Sequence, residues 1–379
     1  MTTVGVGMVG HAFMGRAHSQ AWRSVGPFFD PPLTPVMAAL AGRDAGRAGA
    51  AAASLGWATV VTDWKELLRR DDVHIIDICT PGDSHAEIAV AALDAGKHVL
   101  CEKPLANSVA EAEAMTAAAD RARERGVRSM VGFNYRRVPA VTLARRLVAE
   151  GRIGTVRHIR AQYLQDWLAD DQAPFTWRLD RERAGSGALG DIASHIVDTA
   201  QFITGHRVTG VSAALETFVH ERPAPGGGTA RVTVDDAALF IARTDGGALA
   251  SFEATRVATG RKNALRIEVS GSSGALSFDL ESLNELWFHD RGEDAETAGF
   301  RRIVVTEPEH PYTGRWWPPG HILGYEHTFT HEMADLLTAI AEGADPSPSF
   351  ADGLQIQRVL AAVADSAASG RWVDVEGSD

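Results

Sequence analysis

Cysteine is almost missing from this chain: Cys79 and Cys101 are the only two among 379 residues. Each closes an apolar run, so buried reduced thiols are expected rather than a disulfide framework or a cysteine-rich metal site. Long hydrophobic runs are missing too. None approaches the roughly 18 residues needed to span a bilayer. The first residues carry neither a basic n-region nor a small-residue cleavage pattern, so the expected location is cytoplasmic, away from membranes. Positive charge is in deficit: Lys and Arg number 37 against 49 Asp and Glu, a net charge of -12. Arg136-Arg137, Arg145-Arg146 and Arg301-Arg302 are isolated pairs rather than a stripe. That balance repels a phosphate backbone and excludes nucleic acid as an expected partner.

Apolar residues make up 45% and charged residues 23%, which describes a chain folded throughout. Its length calls for two domains. In the first third, short apolar runs alternate with helical patterns, the signature of a parallel sheet flanked by helices. The expected strands are Val4 to Val9, Pro35 to Ala41, Val73 to Cys79, His98 to Cys101 and Arg128 to Phe133. Capping boxes are read at Asp63 to Glu66, Ser84 to Glu87 and Ser108 to Glu111, and Gly96 and Gly126 stand where left-handed helix ends belong.

After residue 133 the pattern changes. Helices are expected from Pro139 to Glu150 and from Gly190 to Ile203, followed by mainly strand-like runs. Leu265, Ile267 and Val269 alternate with polar neighbours ahead of a Ser272-Ser273-Gly274 turn, a hairpin of a half-buried sheet. Segments 222–230, 290–299 and 307–320 read as loops. Two helices, His327 to Glu342 and Asp352 to Ser369, close the chain. The expected fold is therefore a doubly wound α/β Rossmann domain, 1–133, and an α+β domain with a large, open, mainly antiparallel sheet, 134–379. Its last helix is free to pack back on the first domain.

Gly10-His11-Ala12-Phe13-Met14-Gly15 follows the first strand and opens a helix, the context in which a helix N-terminus meets a pyrophosphate. Ala12 stands where G-x-G-x-x-G has its second glycine, and its methyl group crowds the phosphate approach. At the end of the second strand, Gly42-Arg43-Asp44 offers a guanidinium for a 2′-phosphate and a carboxylate for a ribose diol. NADP is slightly favoured, and NAD stays open.

Glu102-Lys103-Pro104, right after the strand His98 to Cys101, resembles the signature of the Gfo/Idh/MocA family of sugar and inositol oxidoreductases. The likeness continues through Asp77-Ile78-Cys79-Thr80-Pro81 with His85, through Phe133 to Arg137, and through Gly187 to His195. The segment Tyr163 to Trp167, with Trp177-Arg178, is most similar to levoglucosan dehydrogenase members, and inositol dehydrogenases are also near. The resemblance implies an NAD(P)-dependent dehydrogenase acting on a secondary hydroxyl of a sugar, anhydrosugar or cyclic polyol. It also implies a cis Lys103-Pro104 bond and a cofactor held further by Thr80, Pro81, His85, Glu102, Lys103 and Asn134.

The residue types agree with that chemistry. Lys103, at the carboxyl edge of a parallel strand, points into the crevice where open α/β sheets take ligands, and is suited to hydrogen-bond a reacting hydroxyl. Asp191 and His195 are spaced i, i+4 on a helix, with Asp198 and Thr199 continuing the polar stripe. An imidazole titrates near neutral pH, so the resemblance makes His195 the acid/base and Asp191 its orienting partner or a hydroxyl ligand. Tyr135, Gln165, Asp166, Trp167, Trp177 and Arg178 supply the planar faces and directional groups of a sugar pocket. No metal is expected. His310, His321, His327 and His331 lack a zinc-type spacing apart from the i, i+4 pair, and no cysteine is near them. A glycosidase using tightly held NAD and a non-catalytic cofactor sensor are the alternatives. The open sheet points to a homodimer or homotetramer.

Overall fold

The first strand, β1 (Thr2–Val9), is buried from Val4 onward on both faces, as a strand is when others flank it and helices cover both sides. The computed structural model describes residues 2–377. After β1 come α1 (Phe13–Phe29), β2 (Leu33–Ala41), α2 (Ala45–Leu55), β3 (Thr59–Val61), α3 (Lys65–Leu68), β4 (Ile75–Ile78), α4 (His85–Asp94), β5 (His98–Glu102), α5 (Val109–Arg123) and β6 (Ser129–Gly132). The strands pair in parallel in the order β3-β2-β1-β4-β5-β6. Strand order reverses at β1 and β4, and ligands of such sheets bind in the crevice at that point. Five of the six strands are those expected; β3 has only three residues, too few to register as an apolar run.

The caps differ in detail. At the start of α5, Ser108 Oγ accepts from Glu111 N (3.2 Å), and Glu111 Oε2 accepts from Asn107 N (3.1 Å). Before α4, Ser84 does not cap. Its hydroxyl donates to Thr80 Oγ1 (2.7 Å), because a 3₁₀ turn over Gly82–Ser84 precedes the helix. Gly96 and Gly126 have positive φ, as expected.

Further along lie α6 (Pro139–Ala149), β7 (Val156–Leu164), α7 (Arg181–Ala184), α8 (Ser194–Thr204), β8 (Val208–Glu216), β9 (Glu221–Pro223), β10 (Thr229–Arg231), β11 (Ala237–Thr244), β12 (Leu249–Thr255), β13 (Ala264–Gly271), β14 (Gly274–Asp279), β15 (Glu285–Asp290) and β16 (Arg301–Val304). The chain ends with α9 (Tyr325–Glu342), α10 (Phe350–Ser369) and β17 (Val373–Asp374). Nine strands form one sheet in the order β16-β15-β14-β13-β7-β12-β11-β8-β17. All neighbours are antiparallel except β7 and β12. The segment 222–230, expected as loop, instead contains most of the β9–β10 hairpin. Its strands are three residues each and its turn is Gly226-Gly227-Gly228, so composition hides the pairing.

Residues up to Arg137 form one unit with Gly324–Leu354, and Val138–Leu323 form another with the segment from Gln355 onward. The first unit thus takes in all of α9 and the start of α10. Phe329, Met333, Leu336 and Leu337 of α9 share a core with Trp22 and Val25 of α1 and with Trp57. In the second unit, α6 and α8 pack on the nine-stranded sheet. Ala238, Phe240 and Ala242 are buried, while Leu239 and Ile241, which alternate with them, are 51% and 52% exposed. The face carrying Leu239 and Ile241 is concave, encloses about 1040 Å³, and also carries Trp287 and Phe300.

Glu332 is fully buried on α9 with Arg137 Nη1 3.7 Å away. Neither carboxylate oxygen has a hydrogen bond within the described residues. Burial pushes its pKa up to about 8, and the Arg137 charge only partly opposes this. The folded state therefore holds a proton that the unfolded chain releases above its ordinary carboxyl range. The resulting cost grows as pH rises towards 8. Glu332→Gln is expected to raise Tm by roughly 3 °C at pH 8 and by much less at pH 5; melts showing an equal or inverted difference would contradict this.

Candidate active site

The turn from β1 into α1 is shaped by two glycines. Gly10 has φ +98°, and a Cβ there would lie 2.9 Å from Cys79 O; a Cβ on Gly15 would lie 2.4 Å from Gly10 O. These are the close approaches of strand to strand and helix to strand that a side chain would prevent. Ala12 is the N-cap and brings no side-chain acceptor to the first turn. The helix amides there are left for an outside anion, which fits a dinucleotide pyrophosphate. Phe13 is 63% exposed and stacks on Tyr325 with ring centres 6.2 Å apart. Past β2, Arg43 and Asp44 are exposed, and Asp44 Oδ1 caps α2 by accepting from Arg47 N (2.8 Å).

At the carboxyl ends of β4 and β5, two turns are pinned together. His85 reaches Thr80 O with Nε2 (2.9 Å) and Pro104 O with Nδ1 (3.0 Å). The imidazole, only 1% exposed, sits between the two carbonyls, and which of them it donates to depends on the tautomer. The Lys103-Pro104 bond is cis, as the resemblance implied. Lys103 N donates to Glu102 Oε2 (3.1 Å), and the Lys103 residue is partly exposed. Asn134 is buried and donates from Nδ2 to Thr328 Oγ1 (2.9 Å). Tyr135 is buried with its ring edge towards Tyr325, centres 6.3 Å apart.

Beneath β4, His18, Asp77 and Cys79 place donor atoms within 4.8 Å of one another, the single such group among the described residues. These atoms are already joined by hydrogen bonds. Burial pushes the Cys79 thiol far up, so it keeps its proton. Sequence reasoning noted Asp77 only within its strand motif and passed over His18, whose signal is a lone histidine on a helix. His310, His321, His327 and His331 bond main-chain groups. His331 Nδ1 lies 2.9 Å from Arg137 O, and burial pushes its pKa down to about 3. His327 accepts from Gly324 N.

In the second unit, Asp191 and His195 do not share a regular α-helix. Leu189–Ala193 form a π-turn that runs into α8, so the ideal i, i+4 stacking expected from the sequence is displaced. The cause is packing. A Cβ on Gly187 would lie 1.7 Å from Asp235 O, and the Asp235 carboxylate accepts from Gly187 N and Leu189 N (2.7 Å each). That long-range tie accompanies the wider turn, a deformation common at functional sites. His195 is 6% exposed and meets the Tyr163 ring edge-on, centres 5.8 Å apart. Asp191 Oδ2 lies 3.7 Å from Nη1 of Arg256, a fully buried arginine. Asp198 and Thr199 are buried.

Residues 163–178 form an ordered wall. Gln165 Oε1 accepts from Trp167 Nε1 (3.0 Å), and Gln165 Nε2 donates to Asn263 Oδ1 (2.8 Å), which also accepts from Tyr163 Oη (2.7 Å). Arg178 lies over Trp177 at 4.5 Å and Arg256 over Trp167 at 5.6 Å. Asp166 binds Lys262 (2.7 Å) and Gly260 N (3.1 Å), and the lysine holds its pKa below the ordinary value. Its bonded oxygen thus secures the 260–262 turn. Asn263, Asp235 and Arg256 were missed, because a lone polar residue beside a strand has no motif of its own.

Residues 4–133 match the oxidoreductase family with an NAD-binding Rossmann fold, and residues 141–277 match the Gfo/Idh/MocA C-terminal domain. The chain is 42% identical to the levoglucosan dehydrogenase of Pseudarthrobacter phenanthrenivorans, over 99% of both chains. It is 27% identical to the inositol 2-dehydrogenase of Rhizobium meliloti, over 98% of this chain and 99% of that one. Among solved structures, an oxidoreductase domain protein from Kribbella flavida superposes with a TM-score of 0.97 at 67% identity, covering 99% of this chain and all of that one (100%). A levoglucosan dehydrogenase in complex with NADH and levoglucosan superposes with a TM-score of 0.95 at 42% identity, covering 99% and 100%. Among the described residues no helix is long and apolar enough to cross a membrane. The two family matches and these end-to-end likenesses show that the chain belongs to the Gfo/Idh/MocA family of NAD-binding oxidoreductases.

Proposed function

We propose that the protein is a sugar dehydrogenase that oxidises a secondary ring hydroxyl of a levoglucosan-like anhydrosugar, with cyclic polyols as the neighbouring substrate class. The observation that carries this reading is the bonded wall Tyr163-Gln165-Trp167-Asn263 beside His195. It joins flat apolar rings to fixed amides, the combination that grips C–H faces and hydroxyls of a pyranose. The full-length likeness to a levoglucosan dehydrogenase supports it.

The roles follow from the chemistry of each group. His195 accepts the proton of the reacting hydroxyl at a ring nitrogen, Lys103 Nζ stabilises the developing alkoxide, and Asp191 orients His195 or accepts from a neighbouring hydroxyl. When bound, the nicotinamide supplies the hydride acceptor. Gly10, Ala12, Phe13, Met14 and Gly15 would line the pyrophosphate turn, and Arg43 favours a 2′-phosphate while Asp44 retains one oxygen for a ribose hydroxyl. The exposed Leu239, Ile241, Trp287 and Phe300 on the concave face of the nine-stranded sheet support self-association as a dimer or tetramer. Light scattering is expected to give at least twice the chain mass, and a monomer at assay concentration would contradict it.

Lys103→Ala and His195→Ala are each expected to lower kcat at least about a thousandfold with levoglucosan, while the Kd of NADH changes less than about threefold. Near-normal turnover in either variant would refute its role. In the same titrations NADPH is expected to bind as well. Tight NADH binding with none of NADPH would remove Arg43 from contact with a 2′-phosphate.

A further inference from the structure

Both ring nitrogens of His18 end on carboxylates. Nδ1 lies 2.9 Å from Asp77 Oδ1 and 3.1 Å from Oδ2, and Nε2 lies 2.9 Å from Glu102 Oε1. His18 and Asp77 are fully buried and Glu102 is 4% exposed. A neutral imidazole has one N–H and one lone pair, so it would set that lone pair against a carboxylate oxygen at one end. An imidazolium donates at both. Burial is the largest single effect and works against the charge, but Asp77 and Cys79 together outweigh it and the ring's pKa stands well above the ordinary value. Cys79, Cys101, Glu332 and Tyr325 are the other titratable groups that feel this ring's charge.

Each carboxylate is fixed on its far side. Trp22 Nε1 donates to Asp77 Oδ2 (2.8 Å), and Glu102 Oε2 accepts the Lys103 amide (3.1 Å). We propose that His18 is a positioning residue for the turn that carries Lys103: its imidazolium clamps the end of β4 to the end of β5 and keeps Glu102 on the Lys103 N–H. Without that cation, two buried carboxylates face one another across the vacated space. One must then take a proton or swing away, and either change loosens the Lys103 backbone.

The proposal rests on the role given to Lys103, and the two fail separately. Normal turnover in Lys103→Ala removes the lysine, whereas normal turnover in His18→Gln removes only the clamp. His18→Gln is expected to lower kcat about tenfold, with the KM for levoglucosan and the Kd of NADH within about twofold. His18→Lys keeps a cation with donors for both carboxylates, and is expected to recover most of that kcat. Equal kcat in the two variants would overturn the clamp, since general damage affects both alike. Nitrogen-15 NMR of the unaltered protein at pH 8 is expected to find both His18 nitrogens protonated. A neutral ring overturns the proposal whether or not the variants fold. Activity lost on chelation and restored by zinc would overturn it in favour of a cation site at His18, Asp77 and Cys79.

Discussion

A helix start without a side-chain cap, set at the carboxyl edge of a parallel sheet, is the constraint on which the first unit depends. Four amides at such an end need acceptors, and water or an anion must supply them where the protein does not. Ala12 supplies none. The turn can exist only because Gly10 takes a positive φ against Cys79 O and Gly15 lets α1 lie on the turn. The same edge brings the ends of β4 and β5 side by side, which is why Thr80, Pro81, Lys103 and Pro104 become neighbours although 20 or more residues separate the two pairs.

The second unit solves a different problem. A sheet of nine strands is its floor, and irregular segments are added to it: the π-turn at Leu189–Ala193 and the wall at 163–178. Both are held by buried polar groups. Asp235 ties down the π-turn through two backbone amides, and Arg222, fully buried, donates to Leu168 O (2.8 Å) and Asp170 O (2.7 Å) behind the wall. A buried arginine left without acceptors is costly, so these bonds fix loop geometry more firmly than surface pairs would. The contrast is with Lys262–Asp166, where the lysine is largely exposed and screened by water.

Much of this was legible in the sequence because it lies in periodic patterns or short contiguous motifs. Alternation of apolar runs with capped helices specifies the parallel sheet; Gly10 to Gly15, Glu102-Lys103-Pro104 and Asp191 to His195 are contiguous and can be picked out as motifs. What escaped was either short or distant. β3 and the β9–β10 hairpin have three-residue strands, and the π-turn depends on Asp235, more than 40 residues away. His18 meets Asp77 and Glu102 only after the helix has packed under the sheet. Contacts of that kind leave no spacing to count.

Transfer of hydrogen from a sugar carbon to a nicotinamide is the reaction proposed for this protein. Levoglucosan deuterated at its ring carbons, incubated with the protein and oxidised cofactor, tests it most directly by NMR of the reduced cofactor. Deuterium at the nicotinamide C4, accumulating with the keto sugar, is the predicted result. Reduced cofactor that never accumulates, with deuterium returned to the sugar or to a hydrolysed product, would contradict it.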